Sequence, residues 1–198
     1  VVSRIGIRSI EFRGADGLYI NGKPFGDKLM GVNRHQDYAY IGNAVPNNLH
    51  WLDVKKMRDA GFRIIRSAHY PQDPAFMDAC DELGMFIIVA TPGWQYWNPE
   101  PVFEERILSD IRNMVRRDRN HPSVLLWEPV LNETAFPESF AQNAYRATHE
   151  EYPAPGCYAA IDDKSKGAMG YDVVYTAPKN EAFYRNAGKS CFTREYGD

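Results

Sequence analysis

The chain has 198 residues, 44% of them hydrophobic and 25% charged, enough for one substantial core and short for two. A formal charge of −3 leaves no basic field of the kind that gathers phosphates, which argues against a nucleic-acid partner, and the longest apolar run falls far short of a membrane span. Cys80, Cys157 and Cys191 stand far apart and never as a CxxC pair, so they read as core thiols rather than a zinc site or a disulfide framework. No charged-then-apolar leader opens the sequence, which fits a cytoplasmic protein or one whose leader lies upstream.

Residues 1–27 read as an antiparallel lead-in, the tail of a preceding β domain. Ile5, Ile7, Ile10 and Phe12 suggest one short strand and Leu18 to Ile20 a second, with Asn21-Gly22 as a two-residue hairpin loop. From Lys28 onward strand-like and helix-like runs alternate, the pattern of βα units in a parallel sheet. Leu29 to Asn33 is the first strand. Asn48 to Ala60 is the first helix, with Leu49, Leu52, Val54 and Met57 roughly on one side and Gly61 ending it. Phe62 to Ser67 is the second strand, after which Asp73-Pro74 caps a helix running to Gly84. Met85 to Thr91 is fully apolar, as a strand buried on both faces should be. A helix from Pro101 to about Arg119 places Ile107, Leu108, Ile111, Met114 and Val115 at helical spacing. Val124 to Trp127, the helix Glu138 to Glu151, and strands at Cys157 to Ala160, Val173 to Tyr175 and Cys191 to Thr193 complete the chain. A (β/α)8 barrel of the TIM type needs about 250 residues. The expectation is therefore an α/β fold in which residues 28–198 form an incomplete barrel of seven strands, lacking its C-terminal end. An open barrel edge exposes unpaired backbone, a surface for homo-oligomer formation.

Two glutamates each follow an apolar strand: Glu133 after Val124 to Trp127, and Glu195 after Cys191 to Thr193. A carboxylate just past a strand is where a parallel barrel places its chemistry. Two from different strands suggest the acid and the nucleophile that split a glycosidic bond, whose oxocarbenium-like transition state needs a proton on the leaving oxygen and negative charge beneath the anomeric carbon. The loop Trp94, Tyr96, Trp97 either stacks on sugar faces or packs down as a lid. The run Arg112, Arg116, Arg117, Asp118, Arg119 reads as the solvated C-terminal end of a helix. No Gly-rich phosphate cradle, HExxH or GxSxG competes with the carboxylate pair.

Five motifs occur in order: Gly31-Val32-Asn33-Arg34-His35-Gln36-Asp37, Arg66-Ser67-Ala68-His69-Tyr70-Pro71, Arg117-Asp118-Arg119-Asn120-His121-Pro122-Ser123, Asn132-Glu133 and Arg194-Glu195-Tyr196-Gly197. Together they resemble the barrel domain of glycoside hydrolase family two, which includes β-galactosidases, β-glucuronidases and β-mannosidases. The resemblance implies a retaining exo-β-glycosidase that acts on a carbohydrate without a cofactor, its barrel normally preceded by β-sandwich domains. It also implies that Glu133 is the acid/base, Glu195 the nucleophile and Asn132 the partner of the sugar 2-hydroxyl. Arg66 and His69 resemble the pair that braces the nucleophile, and His35 and Asp37 further sugar contacts. Tyr175 is the best match for the aromatic that relatives place between the catalytic segments. Ala90-Thr91-Pro92-Gly93-Trp94 stands where some relatives have acidic magnesium ligands, so no metal is expected. Glu128 reads as a structural carboxylate. β-Galactoside is the preferred substrate, β-glucuronide or β-mannoside the alternatives. The rival from another class is a catalytically dead sugar-binding or scaffold barrel.

Overall fold

A computed structural model describes residues 5–176 and 188–196. The lead-in forms a three-stranded antiparallel sheet of β1 (Ile10–Phe12), β2 (Leu18–Ile20) and β3 (Lys23–Pro24). Asn21 and Gly22 both adopt positive φ, 52° and 73°, the geometry that lets a two-residue loop follow the strand twist. The lead-in thus has three strands where two were expected. Ile5 and Ile7 stay exposed outside it, since β2 offers β1 only three residues to pair with.

The remainder alternates strand and helix. In order come β4 (Gly31–Arg34), α1 (Asn47–Asp59), β5 (Ile64–Ser67), α2 (Pro74–Leu83), β6 (Phe86–Ala90), α3 (Pro101–Asp118), β7 (Val124–Glu128), α4 (Glu138–Glu151), β8 (Ala160–Asp162), β9 (Val173–Thr176) and β10 (Ser190–Thr193). β4 to β7 pair in parallel, as do β8 to β10. The two sets meet where the Trp127 N–H donates to the Tyr158 carbonyl at 2.9 Å beside a parallel bridge from Trp127 to Ala159. The result among the described residues is seven parallel strands in sequence order, an incomplete TIM-type barrel. Between β10 and β4, where the ring stays open among the described residues, lies a cleft of about 780 Å³ lined by Leu29, Val32, Asn33, Ile64, Phe192 and Glu195. No helix among the described residues is long and apolar enough to cross a membrane.

Local chemistry explains most boundaries. Asp73 caps α2 by accepting from the Ala75 N–H at 2.8 Å, Pro74 occupies its first turn, and Gly84 ends it in the left-handed region at φ 70°. In α1 the inward face is His50, Trp51, Val54 and Met57, whereas Leu52 faces solvent. That departs from the expected face because polar His50 is buried beside Arg34. The fifth barrel strand begins at Ala160, not Cys157. The Ala159 N–H donates to the Asp172 carboxylate at 2.7 Å, and the ladder to β9 starts only with Ala160 opposite Val173. The arginine run of α3 clasps α4: Arg112 reaches Glu150 at 2.7 Å and Arg116 reaches Glu151 at 2.6 Å.

Strand alternation sorts side chains into two layers. Ile64, Ile88, Leu126, Ala160, Val173 and Tyr175 fill the barrel interior, and Ile10, Phe12, Leu18 and Ile20 of the lead-in pack onto them. Ile65, Ile87, Val89 and Trp127 face outward onto α1 and α2. The register of β7 against β6 shifts between Ile87 and Ile88, so that Leu125 and Leu126 both join the interior cluster. Past this bulge Trp127 points outward and Glu128 inward.

Candidate active site

Arg66 is the hub. It lies on the interior face of β5, is 3% exposed, and its guanidinium has three acidic or amide neighbours. Nε and Nη2 grip Glu128, with Nε donating at 2.7 Å; Nη1 donates to Glu195 Oε1 at 2.7 Å; and Nη2 also donates to Asn132 Oδ1 at 3.1 Å. Burial works against a cation there, but Glu128 and Glu195 outweigh it and Arg66 is held firmly protonated. A buried guanidinium in this fork geometry fixes three side chains from two strand ends, those of β7 and β10, at once.

Glu195 also accepts from Asn33 Nδ2 at 2.7 Å. Burial alone would raise its pKa. Arg66, Arg194 and the Asn33 hydrogen bond reverse the sign, so the carboxyl sits below its ordinary range and is ionised at neutral pH. Glu133 is more open, its side chain 44% exposed, and accepts from Gln95 Nε2 at 2.8 Å. Arg194 stands between the two. Its Nη2 is 3.7 Å from Glu133 Oε1 and 3.8 Å from Glu195 Oε2, while Nη1 donates to Asn132 Oδ1 at 2.7 Å and to Asp162 Oδ2 at 2.6 Å. Burial pushes the Asp162 carboxyl up to about 6, although Arg194 opposes it.

The other sequence-derived candidates divide. His69 lies beside this network, its Nε2 3.4 Å from Asn132 Nδ2. Burial and then Arg66 lower its pKa, so the ring is neutral and Nε2 accepts from Asn132. His35 packs edge-on against it at 5.5 Å between ring centroids, and Trp94 lies at 5.8 Å on another side with about half its surface exposed. Asp37 is exposed on the loop after β4. Two other candidates are held in packed surroundings. Trp97 packs against Phe140 at 4.8 Å and Phe103 at 5.4 Å, because the loop after β6 folds onto the α3–α4 layer. Tyr175 is 1% exposed inside the barrel, and its hydroxyl finds no hydrogen-bond partner among the described residues. Trp97→Ala should therefore destabilise the fold by about 2–3 kcal/mol, somewhat under the loss for a fully buried ring. Trp94→Ala should leave the thermal midpoint near that of the parent and raise KM severalfold. Thermal unfolding and steady-state kinetics of both variants check this pair of outcomes.

No signal in the sequence points to Asp162 or Gln95, and Asn33 and Arg194 stand out only as members of the first and last motifs. Alternation gives a usable signal for Asn33: in β4 it faces inward toward Glu195, while Arg34 faces outward to Asp53 at 2.9 Å. Gly197 of the last motif lies outside the described residues.

Comparison with known proteins identifies the family. The profile of the family described as glycosyl hydrolases family 2, TIM barrel domain, matches residues 10–153. A β-galactosidase of Thermoanaerobacterium thermosulfurigenes is 37% identical over 153 residues, 76% of this chain and 21% of that protein. A β-glycosidase structure from Bacteroides vulgatus superposes with a TM-score of 0.78 at 27% identity, covering 96% of this chain and 25% of the other. A β-glucuronidase structure from Bacteroides uniformis gives 0.73 at 27% identity over 86% of this chain and 23% of the other. The chain spans about a fifth of the length of the curated relatives it matches. With the profile covering most of its length and the parallel barrel strands in place, the chain belongs to the TIM barrel domain family of the family 2 glycosyl hydrolases.

Proposed function

We propose that this chain carries the catalytic centre of a retaining exo-β-glycosidase, with Glu195 as nucleophile, Glu133 as acid/base and a terminal β-D-galactoside as substrate. One observation carries the reading: two carboxylates from different strand ends lie within reach of the same nitrogen, Arg194 Nη2. Their facing oxygens can be no farther apart than those two contacts laid end to end. That bound accommodates the ~5–5.5 Å between carboxyl groups that double displacement uses.

The asymmetry of the pair supports the division of roles. Glu195 is tied down and ionised by Arg66 and Asn33, as a nucleophile must be. Glu133 is open to a second hollow of about 850 Å³, which it lines with Thr134, Asp162, Arg194 and Glu195, and where a leaving group and then a water can reach it. Asn132, held by Arg66, Arg194 and His69, suits a sugar hydroxyl next to the scissile bond. The galactoside preference leans on the similarity to the Thermoanaerobacterium β-galactosidase, and the β-glucuronide alternative on the Bacteroides uniformis structure. Residues 1–27 are read as the junction with a preceding β-sandwich region and residues 28–198 as the barrel domain.

The test uses the longest natural polypeptide that carries this sequence, assayed on nitrophenyl β-galactoside, β-glucuronide and β-mannoside, with proton NMR of the first sugar released. Hydrolysis of the galactoside to the β-anomer is expected. Initial release of the α-anomer would sink the retaining mechanism, a faster β-glucuronide would move the substrate, and tight binding with no turnover would favour the scaffold reading.

A further inference from the structure

We propose that Gln95 is a positioning residue for Glu133, fixing which carboxyl oxygen carries the acid's proton. The inference rests on the acid/base reading of Glu133 given above. The loop after β6 runs alongside the segment after β7 as a short extension of the sheet beyond the barrel rim. The Asn132 N–H donates to the Gly93 carbonyl at 3.3 Å, the Gln95 N–H donates to the Asn132 carbonyl at 2.9 Å, and Trp94 and Asn132 form a parallel bridge. Gln95 and Glu133 both take left-handed backbone, φ 56° and φ 48°, a conformation uncommon for either residue type. These turns bring the two side chains together, and Gln95 Nε2 donates to Glu133 Oε2 at 2.8 Å.

An amide N–H can only donate, so Oε2 is committed as an acceptor in both charge states of Glu133. When Glu133 is protonated, the proton is left to Oε1. That oxygen is the one 3.7 Å from Arg194 Nη2, whose other carboxylate neighbour is Glu195. Gln95 thereby directs the acidic proton toward the gap between the two glutamates, where a glycosidic oxygen would sit. The loop that carries it is anchored from below by Trp97 against Phe103 and Phe140, which keeps the amide in place.

The experiment compares kcat/KM for a dinitrophenyl glycoside, whose leaving group needs no proton, with that for an alkyl or disaccharide substrate, whose leaving group does. Gln95→Asn is the variant of choice, because asparagine tolerates the left-handed backbone but its shorter arm cannot span the gap. Loss on the poor leaving group should be about tenfold to a hundredfold, a fraction of what general acid catalysis contributes, with a loss of only about threefold on the dinitrophenyl substrate. Glu133→Ala is run in parallel. If it shows selective loss on poor leaving groups while Gln95→Asn lowers both substrates equally, Gln95 is merely structural and the proposal falls. If Glu133→Ala itself shows no such selectivity, the acid/base reading falls first.

Discussion

Replacing Glu195 by glutamine should lower kcat by about 10⁴-fold or more, the scale on which removal of a covalent nucleophile is felt. The substitution keeps shape and the Oε1 acceptor that faces Arg66 Nη1 and Asn33 Nδ2, so the fold should survive it. What it removes is the negative charge that attacks the anomeric carbon. With a 2-fluoro glycoside, intact-mass measurement should find one glycosyl group on the parent protein and none on the variant. A variant that still turns over within about tenfold of the parent would take the nucleophile away from Glu195.

Replacing Arg66 by methionine is expected to cost both stability and activity. Glu128 is 2% exposed and its carboxylate is gripped by Arg66. Removing one member of such a buried pair leaves the other charge uncompensated, which costs about 3–5 kcal/mol. Denaturant unfolding measures this. Converting Glu128 to leucine in the same chain should recover part of the stability, because the orphaned charge goes with it. It should not recover turnover, since Glu195 would still lack its main cation. Without Arg66, burial of Glu195 is less opposed and its carboxyl must titrate higher, so any residual activity should show an acidic limb displaced upward. The same logic fixes the sign for stability in the parent. Glu195 has a depressed folded pKa, so its stabilising contribution is fully present above the unfolded value and is lost as pH falls through the lowered folded one.

Where the chain carries strong local punctuation, the sequence is readable to the residue. α2 is bounded by an Asp-Pro cap and a glycine at positive φ, and α4 runs from Glu138 to Glu151 as its pattern predicts. Period-two alternation likewise puts Ile64 and Arg66 on the interior face, as found. Features set by long-range partners were not legible. The bulge in β7 lets Leu125 and Leu126 both face inward and so turns Glu128 toward Arg66, yet nothing in Val124 to Glu128 announces it. The start of β8 depends on Asp172, a residue 13 positions downstream of Ala159. Trp97 and Tyr175 are aromatic residues near a barrel mouth whose use, packing against Phe140 in one case and interior filling in the other, is decided by neighbours far along the chain. The same holds for the network: Asn33 and Glu195 meet across 162 residues. Arg194 finds Asp162 and Asn132 only because parallel strands converge at one rim.

The central claim is that Glu133 and Glu195 divide the labour of double displacement. It is tested most directly by adding azide to a Glu133→Ala variant and determining the configuration of the glycosyl azide formed. Without an acid/base the second displacement is starved of an activated water, and azide, which needs no deprotonation, should take its place and restore turnover. Attack on a covalent intermediate held by Glu195 inverts the centre a second time, so the account predicts a β-glycosyl azide. An α-configured azide would mean direct displacement on the substrate by an inverting pair, and would contradict the assignment of both glutamates.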